Sequence, residues 1–105
     1  MHDEIRNCKF SRGTLVHHKR YDYRGVIFDV DSNCAADESW YGANRTQPDR
    51  DQPWYHVLVD GAAHTTYVAE QNLEPDTVGA RIRHPLVDEL FSDFREGRYV
   101  RDLDA

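Results

Sequence analysis

Apolar and polar positions alternate in two bursts near the start of the chain and two more past its middle. Thr14 to Val16 begins the first, and the pattern predicts strands over 14–18 and 23–31. Val, Ile, Phe and Tyr dominate both, and these side chains suit a pleated, half-buried surface. In the second strand Tyr23, Gly25, Ile27 and Asp29 fall on one side; Arg24, Val26, Phe28 and Val30 fall on the other. Apolar residues on both sides predict a strand that is central or part of a barrel. Trp54 to Val59 reads as a third strand, Asp60-Gly61 as a hairpin turn and Thr65 to Val68 as the return strand.

The rest of the pattern is less regular. Ala69 to Leu73 reads as a short helical turn that tucks Leu73 into the core and is ended by Pro75. Val78 to Arg83 suggests a last short strand. Pro85 can open a helix, and Leu86, Val87, Leu90, Phe91 and Phe94 recur at helical spacing, so a helix is predicted over 85–96 with Gly97 as its stop. Residues 32–53 carry no strand pattern and read as a long loop, with a helical turn from Ala35 to Trp40 and a mobile stretch from Arg45 to Gln52. Residues 1–9 read as a loosely held arm and 99–105 as a frayed tail. The fold class is therefore mainly β: a small SH3-like open barrel of four or five strands with one C-terminal helix.

Composition narrows the class without naming an activity. A chain of 105 residues, 39% hydrophobic and 30% charged, is one soluble globular domain with a modest core. No apolar run is long enough for a membrane span, and Met1-His2-Asp3-Glu4 lacks a signal peptide's basic start, so the expected location is the cytoplasm. In that compartment Cys8 and Cys34 are expected as two reduced thiols.

Charge changes the picture more. The net charge is −6, which opposes strong sequence-independent attraction to nucleic acid. Its distribution is uneven. From Lys9 to Phe28 five cations face only Asp22, a net of +4; from Asp29 to Asp60 the net is −5. The cations concentrate at the bend between the first two strands. There His18, Lys19, Arg20, Tyr21 and Arg24 interleave charge with flat rings, as a surface that tracks phosphate and stacks bases requires. The plainer reading is a solvated turn that balances nearby acids.

Other constellations are weaker. His17, His18, His56 and His64 match no zinc spacing and read as structural, so no metal or other cofactor is expected. Asp29 and Asp31 read as strand-end groups that satisfy loop backbone rather than as ligands for a hard cation. Trp40, Tyr41, Trp54 and Tyr55 flank the long loop and read as core fillers, with binding anchors as the sharper alternative. The face Leu86, Leu90, Phe91 and Phe94 reads as core packing, with a homo-oligomer surface as its alternative. No nucleophile motif or Gly-rich phosphate loop occurs, which argues against an enzyme.

Taken together, Phe10, Val16-His17, Tyr23-Arg24-Gly25-Val26-Ile27, Asp29-Val30-Asp31, Gln52-Pro53-Trp54-Tyr55-His56-Val57-Leu58-Val59 and Tyr67-Val68-Ala69-Glu70-Gln71-Asn72-Leu73 resemble the HspQ/YccV family, whose members carry a hemimethylated-DNA-binding domain. The match covers roughly residues 10–73, and His84-Pro85-Leu86 with Phe91 resembles the ending of longer members. The resemblance implies a YccV-like barrel domain over 10–98, a non-catalytic domain that binds hemimethylated DNA through His18, Lys19, Arg20, Tyr21 and Arg24. It also implies an alternative: some members are stress-induced factors, with names drawn from heat shock, that deliver substrates to the ATP-dependent Lon protease or stimulate it. Ser32-Asn33 follows Asp31 where the family commonly has a proline.

Overall fold

A computed structural model describes residues 8–34, 36, 38–43 and 47–101. Strands β1 (Leu15–His18), β2 (Arg24–Asp31), β3 (Trp54–Val59), β4 (Thr65–Ala69) and β5 (Leu73–Pro75) form one antiparallel sheet in the order β4-β3-β2-β1-β5. A helix α1 (Glu38–Ala43) lies in the 32–53 connection. A short helix α2 (Val87–Leu90) precedes a hairpin of β6 (Asp93–Arg95) and β7 (Arg98–Val100).

The sheet is strongly curled, and the chain itself requires it. β4 and β5 occupy opposite edges yet are joined only by the 3₁₀ turn Glu70–Asn72. Four strand spacings in a flat sheet amount to about 19 Å, whereas the link from Ala69 to Leu73 spans at most about 15 Å, and about 8 Å when wound as 3₁₀. The edges therefore approach each other at one end. No pairing between β4 and β5 occurs among the described residues, so the curl is an open one.

Both faces of the curled sheet are buried. Phe10, Val16, Ile27, Tyr55, Val57, Val68 and Leu73 fill the concave side. Leu15, Val26 and Leu58 face the other side, where Ile82, Phe91 and Tyr99 cover them. This explains the apolar run in β2, but its strict alternation fails. The pairing of β2 with β3 shifts register between Ile27 and Asp29, so Phe28 is an extra residue. Val30 consequently packs with Ile27 on the concave side while Val26 and Phe28 share the convex one. Gly25 is required where β2 crosses β3, because a Cβ there would lie 2.5 Å from Val57 Cγ1 and 2.6 Å from the Leu58 carbonyl oxygen.

Several expectations need correction. The helix predicted over 85–96 is one turn long, and Asp93 to Val100 is a hairpin instead. Its spacing misled because Phe91 and Phe94 pack on Tyr99 in both geometries; Phe94 and Tyr99 are cross-strand partners with ring centroids 4.7 Å apart. Glu96 and Gly97 both take positive φ, the backbone of a two-residue hairpin turn, so Gly97 turns a strand rather than stopping a helix. Tyr99 is buried and its hydroxyl meets both Ile82 backbone groups, so the described start of the supposed tail is core. Val78 to Arg83 forms no strand; it is a strap held by Ile82 in the core and by Arg83 N donating to Asp60 Oδ1 at 2.7 Å.

The long connection is better pinned than its composition suggested. The helical turn expected from Ala35 to Trp40 is met in its second half by the helix Glu38–Ala43, while Ala35 and Asp37 lie outside the described residues. Pro48 is buried, Tyr41 Oη donates to its carbonyl at 2.7 Å, and the Arg50 guanidinium lies 4.7 Å from the Tyr41 ring. Arg45 and residues 1–7 and 102–105 lie outside the described residues. The first and last described segments meet side by side: Tyr99 N donates to the Gly13 carbonyl at 2.9 Å, and Gly13 N donates to Ile27.

Candidate functional site

The bend between β1 and β2 is a rigid tip. His18 N donates to the Tyr23 carbonyl and Asp22 N to the His18 carbonyl, at 2.8 and 2.9 Å, with Asp22 in the left-handed region. His18 is 4% exposed, and its Nδ1 accepts the backbone N–H of Arg20 and of Tyr21 at 3.1 and 3.0 Å. Burial, the neighbouring His17 and the Arg20 charge hold the His18 pKa below the ordinary histidine value, so it stays a neutral acceptor that stiffens the tip. Tyr21 is half exposed, and the Arg20 guanidinium sits 5.7 Å from its ring centroid. Lys19 and Arg20 are exposed and form no ion pair among the described residues.

Of the five residues expected at this surface, the tip presents Lys19, Arg20 and Tyr21, while His18 and Arg24 turn to other contacts. Arg24 Nε and Nη2 donate to Asp76 at 2.8 and 3.2 Å, Nη2 also donates to the Ala80 carbonyl at 2.5 Å, and Asp60 lies 3.5 Å from Nη1. Arg24 thus clamps the 76–83 strap to the sheet with its charge neutralised by two carboxylates. Asp76 is held below the usual carboxylate range: its burial opposes this, but the Arg24 guanidinium and the amides of Gly79 and Val78 outweigh it. Arg12, another cation of the positive segment, pairs with Asp29 at 3.2 Å.

The histidines do not gather. His17 is bracketed by Asp22 and Glu74 at 2.6 and 2.7 Å, which raises its pKa. His56 meets Asp31, and His64 offers its carbonyl to His84. No group of three metal-ligating side chains occurs among the described residues. Cys8 and Cys34 are not joined in a disulfide.

A groove of about 520 Å³ opens beside the tip. Tyr21, Tyr23 and His18 form one wall. Trp40 on α1, with Trp54, His56 and Tyr67, forms the other, its rings 4.5 to 5.9 Å from their neighbours. Tyr67 Oη donates to Asp31 Oδ2 at 2.6 Å, fixing the ring against the end of β2. Trp54 is fully buried, and its Nε1 has no hydrogen-bond partner among the described residues. Trp54 is core, as expected, whereas Trp40 is exposed, and the pairing of Tyr67 with His56 was not among the expectations. The available signal was period 2: Trp54 and His56 fall on one face of β3, and Tyr67 lies opposite His56 on β4.

Much of the rest of the recognisable sequence is scaffold. Gln52 and Gln71 bond each other twice, side chain to side chain and side chain to backbone, tying the start of β3 to the 3₁₀ turn. Tyr55 Oη donates to Glu70 at 2.6 Å and accepts from Phe10 N at 3.2 Å; burial and the Glu70 carboxylate drive that phenol's pKa far upward.

The chain is 34% identical over 102 residues to F-box only protein 21 of Homo sapiens, of Mus musculus and of Pongo abelii, covering 93% of this chain. It spans only 16% of the length of those relatives. No helix among the described residues is long and apolar enough to cross a membrane. A family model for hemimethylated DNA-binding proteins of the YccV type matches residues 8–98, which reaches past the strap and α2 into the last hairpin. The chain belongs to the YccV-like hemimethylated DNA-binding family.

Proposed function

We propose that the chain is a non-catalytic reader of DNA methylated on one strand, meeting the duplex with the tip of the β1–β2 bend. The observation that carries this reading is the exposed pair of Arg20 and Tyr21 beside Lys19, two cations and a flat ring on a backbone stiffened by His18. Family membership supports DNA as the ligand class. Cations at such a tip meet phosphate, and an apolar contact in the major groove distinguishes a methyl group from its absence.

The electrostatics set a quantitative expectation. Strong duplex binders make about six to ten phosphate contacts; two available cations give a log affinity against log salt slope of roughly −2. Titration of unmethylated, hemimethylated and fully methylated duplexes of one sequence tests the reading. Tightest binding to the hemimethylated duplex with that shallow slope is expected; equal affinity for all three would overturn it.

A second reading has one observation in its favour. The net charge of −6, with Arg24 and Arg12 neutralised, suits a protein partner better than a polyanion. It corresponds to an HspQ-like adaptor for the ATP-dependent Lon protease. Stimulated substrate degradation by that protease, with no discrimination among the duplexes, is the result that selects it.

A further inference from the structure

We infer that the aromatic groove beside the tip holds one nucleobase turned out of the duplex, a base of the methylated pair. This rests on the duplex contact proposed for the tip, and it starts from what the groove lacks. No carboxylate, lysine or arginine lines it. Its surface is made of rings, the small apolar side chains of Pro48, Val68 and Ala69, two threonines and Asn72. Such a lining suits a flat, uncharged ligand, and about 520 Å³ lies in the range of a cavity for one small molecule.

The rings form two fixed walls. Tyr21 and Tyr23 flank His18, with centroids 4.8 and 5.1 Å from its ring. Trp40 packs edge-on against Trp54 and Tyr67 at 5.9 and 5.5 Å. The Tyr23 hydroxyl and Thr66 Oγ1 meet at 2.7 Å, which ties the first wall to β4. Trp54 and Ala69 are buried, whereas Tyr21 and Trp40 are 50% and 38% exposed, so each wall presents one accessible ring. Every base has a π-face, and stacking on such rings binds it whatever its sequence context.

One polar group is placed to meet a base edge. Asn72 lines the groove, and its carbonyl accepts Lys19 N at 2.9 Å, which docks it against the tip. Its side-chain amide has no hydrogen-bond partner among the described residues. An amide carries a donor and an acceptor side by side, the pattern that pairs with a base edge. Lys19 and Arg20 stand in the chain between His18 and Tyr21, which both line the groove, so the cations that meet phosphate flank it. Tip and groove together match the parts of a nucleotide: phosphate, ring face and base edge. A base inside a duplex reaches such a pocket only by unpairing and unstacking.

The test uses the full chain and duplexes of one sequence. In the complex with the hemimethylated duplex, the imino proton resonance of the methylated pair should vanish while those of the flanking pairs persist. Replacing one base of that pair by an abasic site should tighten binding about tenfold, because the unpairing cost is gone; replacing the other, the ligand itself, should weaken it about tenfold. Asn72→Ala and Trp40→Ala should each lower affinity about tenfold at an unchanged salt slope, since neither residue meets phosphate. Asn72→Ala should also keep the parent's thermal midpoint, because the bond of Asn72 to the tip is made by its backbone. Three results would overturn the base pocket: duplex binding with every imino proton retained, both abasic duplexes binding alike, or a single strand bound more tightly than either. The first two leave the phosphate contact at the tip standing. Equal affinity for all three methylation states, with the imino proton still lost, would remove the methyl reading and keep the pocket. Absence of any duplex binding would remove both.

Discussion

Arg20 and Arg24 stand four residues apart in the same cationic stretch, and they have opposite fates. Arg24 lies at the start of β2, where the strap crosses, and two carboxylates and a carbonyl absorb its guanidinium. Arg20 lies at the tip, where its recorded contacts are the ring of Tyr21 and, through its own N–H, His18. His17 and His18 repeat the contrast on neighbouring residues: one faces two carboxylates and titrates upward, while the other is buried and titrates downward. A count of charges along a sequence registers the first pair as two equal cations. The folded chain makes one a structural clamp and the other a contact surface.

The largest effect that breaks this comparison is expected at Arg24. Arg24→Ala leaves the Asp76 carboxylate, 2% exposed, without its cation. A loss of about 3 kcal/mol is expected, seen as a lower urea midpoint at an unchanged slope. A change below about 0.5 kcal/mol would mean that the clamp is solvated and the strap is held by Ile82 alone.

The joint substitution Lys19→Ala and Arg20→Ala should do the reverse. Stability should stay within about 0.5 kcal/mol, because neither residue has an ion pair to lose among the described residues. Duplex affinity should fall and its salt slope should flatten from roughly −2 towards zero. Retention of the parent slope would move the phosphate contacts elsewhere.

The smallest effect concerns the histidines. The folded pKa of His17 is raised, so its contribution is full below the ordinary histidine value and is lost as pH rises through the folded one. For His18 the folded pKa is depressed, so acidification charges the unfolded chain first and destabilises the fold. The two oppose each other across the same range. His17→Gln removes only the first, and its urea midpoint should fall more steeply than the parent's as pH drops from neutral towards 5.5. Parallel curves for the two proteins would show that the Asp22 and Glu74 contacts do not persist in solution.

Legibility followed the range of the interactions. β1 to β4 and the turn that buries Leu73 were readable because alternation and Asp60-Gly61 act locally, whereas Pro75 does not end that turn but lies in β5, whose pairing with β1 is not local. The bulge at Phe28 left no local signal, and it reassigned Val30. The last hairpin was misread because Phe91 and Phe94 satisfy a helical period and a cross-strand pairing alike; only Tyr99, five residues beyond Phe94 and across a turn, decides between them. At the site, the tip was legible as a cluster of residue types. The engagement of Arg24 depends on Asp76, 52 residues away, and no spacing rule reaches that far. The groove escaped for a similar reason, since its walls come from segments that meet only when the sheet curls.

The contact between Gly13 and Tyr99 joins the two ends of the described chain. The segments run side by side there, and a methyl at Gly13 would overlap the Tyr99 carbonyl, so any other residue at that position would pry the last hairpin away from the sheet.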